Sequence, residues 1–412
     1  MLKNYFKIAI AVLRRRKFFT FISLFGISFT LTIIIVLAAF WDNLTSAGYP
    51  DTKRDRSLYI NFIMQENPKV QGMKKGPGSY YFMERYVASM KAPEKVAISS
   101  VFTPTNAYVQ DKKLLINVKY TNEAWWDVLE FDFLEGKPFS QQQIKNGERV
   151  AVISGEIRDQ YFVDGVKASG KYIETDNVKY RVIGVVKSIP VTAPFIYGDM
   201  FLPYTLSKTD YRKKSINGMY TAIVLARDKS DFPRIREEYR LAVSKVVPED
   251  KDFNKIFSAA DPYIESYTRM FSQDEHNSGF GTLMSVLAAV LFLLMLLPAI
   301  NLVNINLSRI MERSSEIAVR KAFGASSGTL TLQFIVENII LTLLGGLIGI
   351  ILSWLILTAI NSSAWIPNFS LSINLAVLGY AILACLVFGL LSGVYPAWRM
   401  SRLHVVDALK AS

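Results

Sequence analysis

The sequence contains very little cysteine and histidine. Its 412 residues include one cysteine, Cys385, and two histidines, His276 and His404. A single cysteine excludes an intramolecular disulfide, so any soluble domain must be held together by its own hydrophobic core. No cluster of cysteine, histidine and acidic residues has the spacing of a metal site. We therefore expect a chain that is not an enzyme and that binds no metal.

Four long stretches of the chain are almost free of charged residues. They cover residues 18–41, 281–305, 330–360 and 373–396. Each reaches the roughly 20 residues that a helix needs to cross the hydrocarbon core of a bilayer. The sequence therefore predicts a membrane protein with four transmembrane helices.

The formal net charge of +12 is concentrated beside these stretches. Residues 1–17, 306–329 and 397–412 hold most of the basic excess, whereas basic and acidic residues are nearly balanced in residues 42–280, and residues 361–372 carry no charge. Cytoplasmic segments of membrane proteins are enriched in lysine and arginine. We therefore predict cytoplasmic termini in the bacterial inner membrane, and the basic charge indicates a membrane partner and not nucleic acid.

Residues 42–280 lie between the first and second predicted helices and are expected outside the cytoplasm, in the periplasm. Strand-like and helix-like patterns follow one another there without regular alternation, which predicts a large α+β domain. A hairpin is predicted over residues 171–187, with its turn near Asp176 and Asn177. The predicted strands are 58–63, 114–120, 149–153, 179–186 and 221–225, and the predicted helices are 80–91, 124–129 and 231–247.

A further helix is predicted before the first membrane span. Residues 1–17 alternate apolar residues and lysines at helical spacing, which predicts an amphipathic cytoplasmic helix on the membrane surface.

Gly345 with Gly349, and Gly389 with Gly393, form pairs of small residues that let two helices approach closely. These pairs are equally consistent with packing inside one bundle and with contact between two copies of the chain.

The predicted cytoplasmic loop 306–329 is the most informative segment. Apolar and small residues are predicted to form one side of a short helix and charged residues the other, and Gly324 would end it. The apolar and small residues are Ile317, Ala318, Ala322, Phe323 and Ala325, and the charged ones are Glu312, Arg313, Glu316, Arg320 and Lys321. Such a helix between two membrane spans is suited to docking another protein. A solvated loop of mixed charge is the alternative.

The segment Glu312-Arg313-x-x-Glu316-Ile317-x-x-Arg320-Lys321-Ala322-x-Gly324-Ala325-Ser326 resembles the FtsX/MacB family of ABC transporter permeases. Residues 4–10, 133–139 with 150–154, and 395–409 are similar to the same family. The resemblance implies that the loop is a coupling helix that enters a groove of a cytoplasmic ABC ATPase. ATP and Mg²⁺ would then be bound by that partner, and no cofactor by this chain.

The resemblance further implies a unit of two ATPases and two permeases, either a homodimer or a heterodimer with a related permease, with a periplasmic adaptor as a further candidate partner. The expected function is mechanotransmission, in which ATP hydrolysis by a separate ATPase moves the periplasmic domain. The expected transport activity is export of a drug or peptide, or extraction of a lipoprotein. A membrane-anchored sensor or scaffold, whose outer domain binds a ligand or regulates a cell-wall enzyme, is the alternative.

Overall fold

The chain divides into two compact units. A computed structural model describes residues 10–11, 15, 17–67, 72–109, 112–162, 166–248, 252–272, 277–311, 319, 323, 326–363, 368–376, 378–380, 382–383 and 386–387. We call Leu44–Leu283 with Ile366–Phe369 the outer domain. The remaining segments, Met1–Asn43, Met284–Trp365 and Ser370–Ser412, are called the helical unit. The domain boundaries expected at residues 42 and 280 stay a prediction.

The elements follow in chain order. The strands are β1 (Ser57–Ile60), β2 (Ile63–Asn67), β3 (Gly72–Gly76), β4 (Lys95–Ser100), β5 (Thr103–Val109), β6 (Lys112–Thr121), β7 (Phe133–Gly136), β8 (Val150–Ser154), β9 (Tyr172–Thr175), β10 (Val178–Val186), β11 (Met200–Pro203), β12 (Tyr220–Leu225) and β13 (Lys255–Phe257). The α-helices are α1 (Lys17–Thr45), α2 (Tyr80–Phe82), α3 (Trp125–Val128), α4 (Gln141–Lys145), α5 (Gly155–Phe162), α6 (Phe232–Val243), α7 (Tyr263–Phe271), α8 (Phe280–Met311) and α9 (Ser327–Ser362).

The described strands of the outer domain form two sheets. The larger has ten strands in the order β1-β12-β4-β6-β11-β8-β10-β7, with β5 paired to β6 and β9 paired to β10. Its pairings are antiparallel except for β6 with β11 and β8 with β10. The smaller sheet has the order β13-β2-β3. Helices and strands are thus interspersed, and the prediction of a large α+β domain is confirmed.

Central strands of the larger sheet are buried on both faces. In β8, Val150 and Val152 join one hydrophobic cluster, while Ala151 and Ile153 join another cluster on the opposite face. All six residues of β12 are buried, and its five apolar or aromatic residues divide between two clusters in the same way. A strand covered on both faces needs a continuous apolar run. Such runs are visible in the sequence, and for this reason the strands at 149–153 and 221–225 could be predicted.

The hairpin prediction is confirmed, and one helix prediction is partly wrong. Asp176 and Asn177 connect β9 to β10 with φ values of 48° and 61°, the left-handed conformations that a tight hairpin turn requires. A single helix was predicted over residues 80–91. In the structure, α2 is followed by a wider π-helical turn, Met83–Val87, and the helical structure ends there. Beyond it, the amides of Lys91 and Ala92 donate to the Glu238 carboxylate of α6, which replaces the helical hydrogen bonds.

The helical unit contains long apolar helices. By length and composition, two of the described helical segments could cross a membrane, Lys17–Thr45 and Ile335–Ser362, and Phe280–Leu296 is a shorter apolar one. Described residues between 375 and 387 are helical as well. The four spans therefore stay a prediction, as does the amphipathic helix over residues 1–17, most of which lies outside the described residues.

A lysine is fully buried inside the outer domain. Lys119 of β6 is 1% exposed, and its Nζ donates to the Ser100 carbonyl oxygen at 2.7 Å. Nζ also lies 5.6 Å from the centre of the Trp125 ring. Burial disfavours the ammonium form and lowers the pKa of Lys119 to about 7. Because an unfolded lysine keeps a pKa near about 10.4, burying Lys119 destabilises the fold fully below pH 7, and less as the pH rises towards 10.

Replacing this lysine should therefore stabilise the protein in a pH-dependent way. For Lys119→Met, the gain in unfolding free energy should be about 2–3 kcal/mol larger at pH 6 than at pH 9. Thermal unfolding followed by tryptophan fluorescence in detergent measures this difference. Lys113→Met, on an exposed position of the same strand, is the control and should show no such dependence. An equal effect of Lys119→Met at both pH values would contradict the burial argument.

Candidate functional site in the coupling loop and its helices

The structure places two apolar side chains of the loop at the surface. Phe323 is 89% exposed and Val319 is 49% exposed. The Phe323 N–H donates to the Val319 carbonyl oxygen at 3.0 Å, the hydrogen bond of one helical turn. Residues four apart share a face of a helix, so the two side chains form one exposed apolar surface.

The other predicted coupling residues lie outside the described residues. They are Glu312, Arg313, Glu316, Ile317, Arg320, Lys321, Ala322, Gly324 and Ala325. Their contacts with an ATPase stay predictions, as does that of Phe323. Val319 was not among the predicted contacts, although its spacing of four from Phe323 could have identified it.

The loop is bounded by two helices. The α8 helix continues to Met311, and α9 begins at Ser327 after an N-cap at Ser326. The Ser326 hydroxyl oxygen accepts a hydrogen bond from the Thr329 N–H at 3.2 Å, which satisfies one of the free amides at the helix start. The bounds 306–329 expected for the loop stay a prediction, since most residues between these two helices lie outside the described residues.

The first predicted glycine pair lies against α1. A Cβ atom on Gly345 would be 2.8 Å from Ile27 Cβ, and one on Gly349 would be 3.0 Å from the Ser28 carbonyl oxygen. Only glycine fits at such distances. Gly345 and Gly349 therefore pack α9 on α1 within one chain, whereas Gly389 and Gly393 lie outside the described residues.

Buried hydroxyl groups reinforce the contact between α1 and α9. The Thr32 hydroxyl donates to the Gly349 carbonyl oxygen at 3.2 Å and to the Ser28 carbonyl oxygen at 2.7 Å. Ser353 donates to the same Gly349 oxygen at 2.7 Å. Sequence reasoning missed these hydroxyls. The signal was present in α1, where Ser28 and Thr32 are spaced four residues apart and therefore share one face of the helix.

One acidic side chain is buried in α9. Glu337 of α9 is 3% exposed, which agrees with its position inside a predicted membrane helix. Within the described residues, no group of three or more histidine, cysteine, aspartate and glutamate side chains could hold a metal ion. The described geometry is that of a packed helix pair, α1 with α9, together with the exposed side chains of Val319 and Phe323.

Two family models match the chain. The MacB-like periplasmic core domain matches residues 20–241, and the FtsX-like permease C-terminal model matches residues 288–405. The chain belongs to the MacB/FtsX family of ABC transporter permeases. The permease is thus a membrane protein with a periplasmic or extracellular domain, and its class implies an ATPase partner.

Named relatives agree with this assignment. The uncharacterized ABC transporter permease YknZ of Bacillus subtilis (strain 168) is 23% identical over 335 residues, covering 80% of this chain and 79% of that protein. The macrolide export ATP-binding/permease protein MacB of Bdellovibrio bacteriovorus is 29% identical over 284 residues, covering 67% of this chain and 41% of that protein. The permease thus matches less than half of the length of the second relative.

Among solved structures, the periplasmic region of MacB from Actinobacillus actinomycetemcomitans is similar to the permease at 14% identity. It has a TM-score of 0.35 and covers 52% of this chain and 92% of the solved one.

Substitution of neighbouring glycines tests the packing of α9 on α1. Gly345→Ala should destabilise the permease by about 1–3 kcal/mol, because the new methyl group would overlap Ile27. Gly346→Ala is the control, since its Cβ would meet only Leu31 Cδ2, at an ordinary 3.7 Å. Thermal unfolding in detergent compares the two variants. Equal stability of both would show that the helices do not approach as described.

Proposed function

We propose that this permease is the transmembrane subunit of a mechanotransmission ABC transporter. In this proposal a separate cytoplasmic ATPase binds ATP and Mg²⁺ and moves the coupling loop, and the helices carry that movement to the outer domain. The exposed pair of Val319 and Phe323, located between α8 and α9, is the observation that best supports the docking step. The chain itself binds no cofactor and carries out no catalysis in this proposal.

The helix pair is suited to carrying such a movement. Glycine contacts and buried hydroxyl bonds hold α9 on α1, and α9 begins directly after the loop. A displacement of the loop would thus enter α9 at Ser326 and pass to α1 as a rigid shift, because close-packed helices do not deform easily. The dimer of permeases that we propose would use other faces, since Gly345 and Gly349 are covered by α1.

We further propose the location and topology expected from the charge distribution. The permease would lie in the bacterial cytoplasmic membrane with four spans at 18–41, 281–305, 330–360 and 373–396 and with both termini inside. The two long apolar helices, Lys17–Thr45 and Ile335–Ser362, support the first and third of these spans. The uncharged residues 361–372 would then lie outside.

The proposed transport activity is export or extraction of a substrate outside the cytoplasm. The match to a periplasmic core domain and the similarity to a relative named for macrolide export support export over a sensing role. The individual substrate is open among a drug, a peptide and a lipoprotein. A sensor or scaffold would need no ATPase, and this difference separates the two functions by experiment.

Cysteine labelling tests the topology. In a Cys385→Ser background, Ser363→Cys should react with a membrane-impermeant maleimide in sealed spheroplasts, because residues 361–372 are proposed to lie outside. Ser326→Cys, which is also exposed, should react only after the membrane is permeabilised. Labelling of Ser326→Cys in sealed spheroplasts would overturn the proposed arrangement.

Substitution of the exposed loop phenylalanine tests the docking of the ATPase. Phe323→Asp should weaken association with the partner ABC ATPase by about 2 kcal/mol or more, because an interface anchor is replaced by a charge. Co-purification with the identified ATPase, together with ATP hydrolysis by the complex, is the measurement. Phe271→Asp is the matched control, since Phe271 is 85% exposed but belongs to the outer domain.

The result distinguishes the two functions. Equal association of both variants would remove Phe323 from the docking surface. If the unmodified permease carries no ABC ATPase in mild detergent, the transporter function itself is wrong and the sensor becomes the better explanation.

A further inference from the structure

One arginine of the outer domain holds the end of α1. Arg54 lies on a short 3₁₀ turn, Arg54–Arg56, between α1 and β1. Its Nη1 donates to the carbonyl oxygens of Leu44 at 3.1 Å and Ser46 at 2.7 Å. These groups belong to the end of α1, where carbonyl oxygens lack helical partners and a cation is favourable. Arg54 therefore caps the helix from which the chain enters the outer domain.

The same guanidinium also holds the start of α7. Its central carbon lies 3.9 Å from the centre of the Tyr263 ring, and Tyr263, which begins α7, is 4% exposed. A cation is attracted to the face of an aromatic ring, and the attraction is stronger where both groups are removed from water. Eight residues separate the end of α7 from the start of α8. Arg54 thus contacts both the segment that follows α1 and the segment that leads to α8.

A buried polar network fixes Arg54 in this position. Its Nε donates to Asp51 at 2.8 Å, and Asp51 also accepts from the Tyr59 hydroxyl at 2.5 Å. The backbones of Tyr59 and Asp261 exchange two hydrogen bonds, of 2.7 and 3.1 Å. The Asp261 carboxylate in turn binds Arg269 of α7 at 2.5 and 3.2 Å. The path from Arg54 therefore crosses β1 and ends on α7.

The charges of this network are paired inside the domain. Asp51, Asp261 and Arg269 are 1%, 4% and 8% exposed. Burial and the neighbouring Asp51 carboxylate both raise the pKa of Tyr59, so its hydroxyl stays a donor at neutral pH. Removing one member of a buried pair leaves the other charge without compensation, which is costly. The network is thus expected to move as a unit.

The far end of α7 is attached to the smaller sheet. Lys75 of β3 donates to the carbonyl oxygens of Arg269 and Ser272, each at 2.7 Å. These oxygens lie at the C-terminal end of α7, where a cation again satisfies free carbonyl groups. Consequently α7 is connected at its start to Arg54 and at its end to β3.

We propose that Arg54 is the positioning residue that makes the end of α1 and helix α7 move as one body. A displacement arriving along α1 would then reach β1 of the larger sheet through Asp51 and Tyr59. It would reach the smaller sheet through α7 and Lys75. This inference rests on the proposed function, because Arg54 transmits a movement from α1 to α7 only if an ATPase moves the helices.

A neighbouring arginine supplies a matched control. Arg56 lies on the same turn and makes three comparable hydrogen bonds, to Glu94 at 3.0 Å, to the Ala226 carbonyl oxygen at 3.1 Å and to the Arg227 carbonyl oxygen at 3.2 Å. None of these groups belongs to α1 or α7. Arg56→Met and Arg54→Met therefore remove the same chemistry from one turn but differ in the elements that are released.

The test is hydrogen–deuterium exchange of the full permease with its partner ATPase in lipid nanodiscs, with and without a non-hydrolysable ATP analogue. In the unmodified complex, nucleotide should change exchange both in the last turn of α1 and in α7. In Arg54→Met the change at α1 should remain, whereas the change at α7 should fall about fivefold to tenfold. Arg56→Met should match the unmodified complex, and ATP hydrolysis should continue in every variant.

The outcomes separate the two proposals. A full nucleotide-dependent change at α7 in Arg54→Met overturns the role of Arg54 and leaves the transporter function standing. The absence of any nucleotide effect at α1 in the unmodified complex overturns the transporter function and, with it, this inference. If Arg54→Met fails to fold by thermal unfolding, Arg54→Lys decides by the same criterion, because lysine keeps the charge but cannot make all the contacts of the guanidinium.

Discussion

The close approach of α1 and α9 is the constraint on which the helical unit depends. Lipid tails are as apolar as leucine, so the hydrophobic effect does not drive membrane helices together. Close backbone contact and hydrogen bonds must do so instead. Gly345 and Gly349 provide the contact, and the Thr32 hydroxyl provides a hydrogen bond from α1 to the Gly349 carbonyl oxygen of α9. In the proposed mechanism, a movement of the loop that enters α9 would pass to α1 across this contact.

The outer domain handles buried charge in two different ways. Lys119 is buried with a single carbonyl partner, and its environment therefore favours the neutral amine. Arg54 and Arg269 are each paired with a buried carboxylate. The first arrangement weakens the fold at low pH, whereas the second joins elements that are distant in sequence. Basic side chains of this domain thus lower its stability at Lys119 and link distant elements at Arg54 and Arg269.

The sequence was informative where one interaction dominates the local structure. Membrane helices and the doubly buried strands β8 and β12 have continuous apolar runs, and Asp176 with Asn177 is a turn signal that needs no tertiary context. Strand β3, Gly-Met-Lys-Lys-Gly, has no such signal and exists because it pairs with β2. The early end of the helix after Tyr80 depends on Glu238, a residue far away in the chain that no local pattern can reveal.

The same limit applies to the candidate sites. The loop residues were predicted from their own pattern and from the family resemblance and stay a prediction, whereas the glycine pair was predicted from its own repeat. Arg54 was not found, because its importance comes from Leu44, Asp51 and Tyr263, which meet only in the folded domain. A residue that joins three segments has no periodic signature in any of them.

The position of β1 has a consequence for assembly. This strand is at one edge of the ten-stranded sheet, and an open edge can pair with the edge of another molecule. Tyr59 exchanges its outward backbone hydrogen bonds with Asp261 of the same chain, so the middle of this edge is already occupied. A second copy therefore cannot extend the sheet by pairing with the middle of β1, because those backbone groups already have partners.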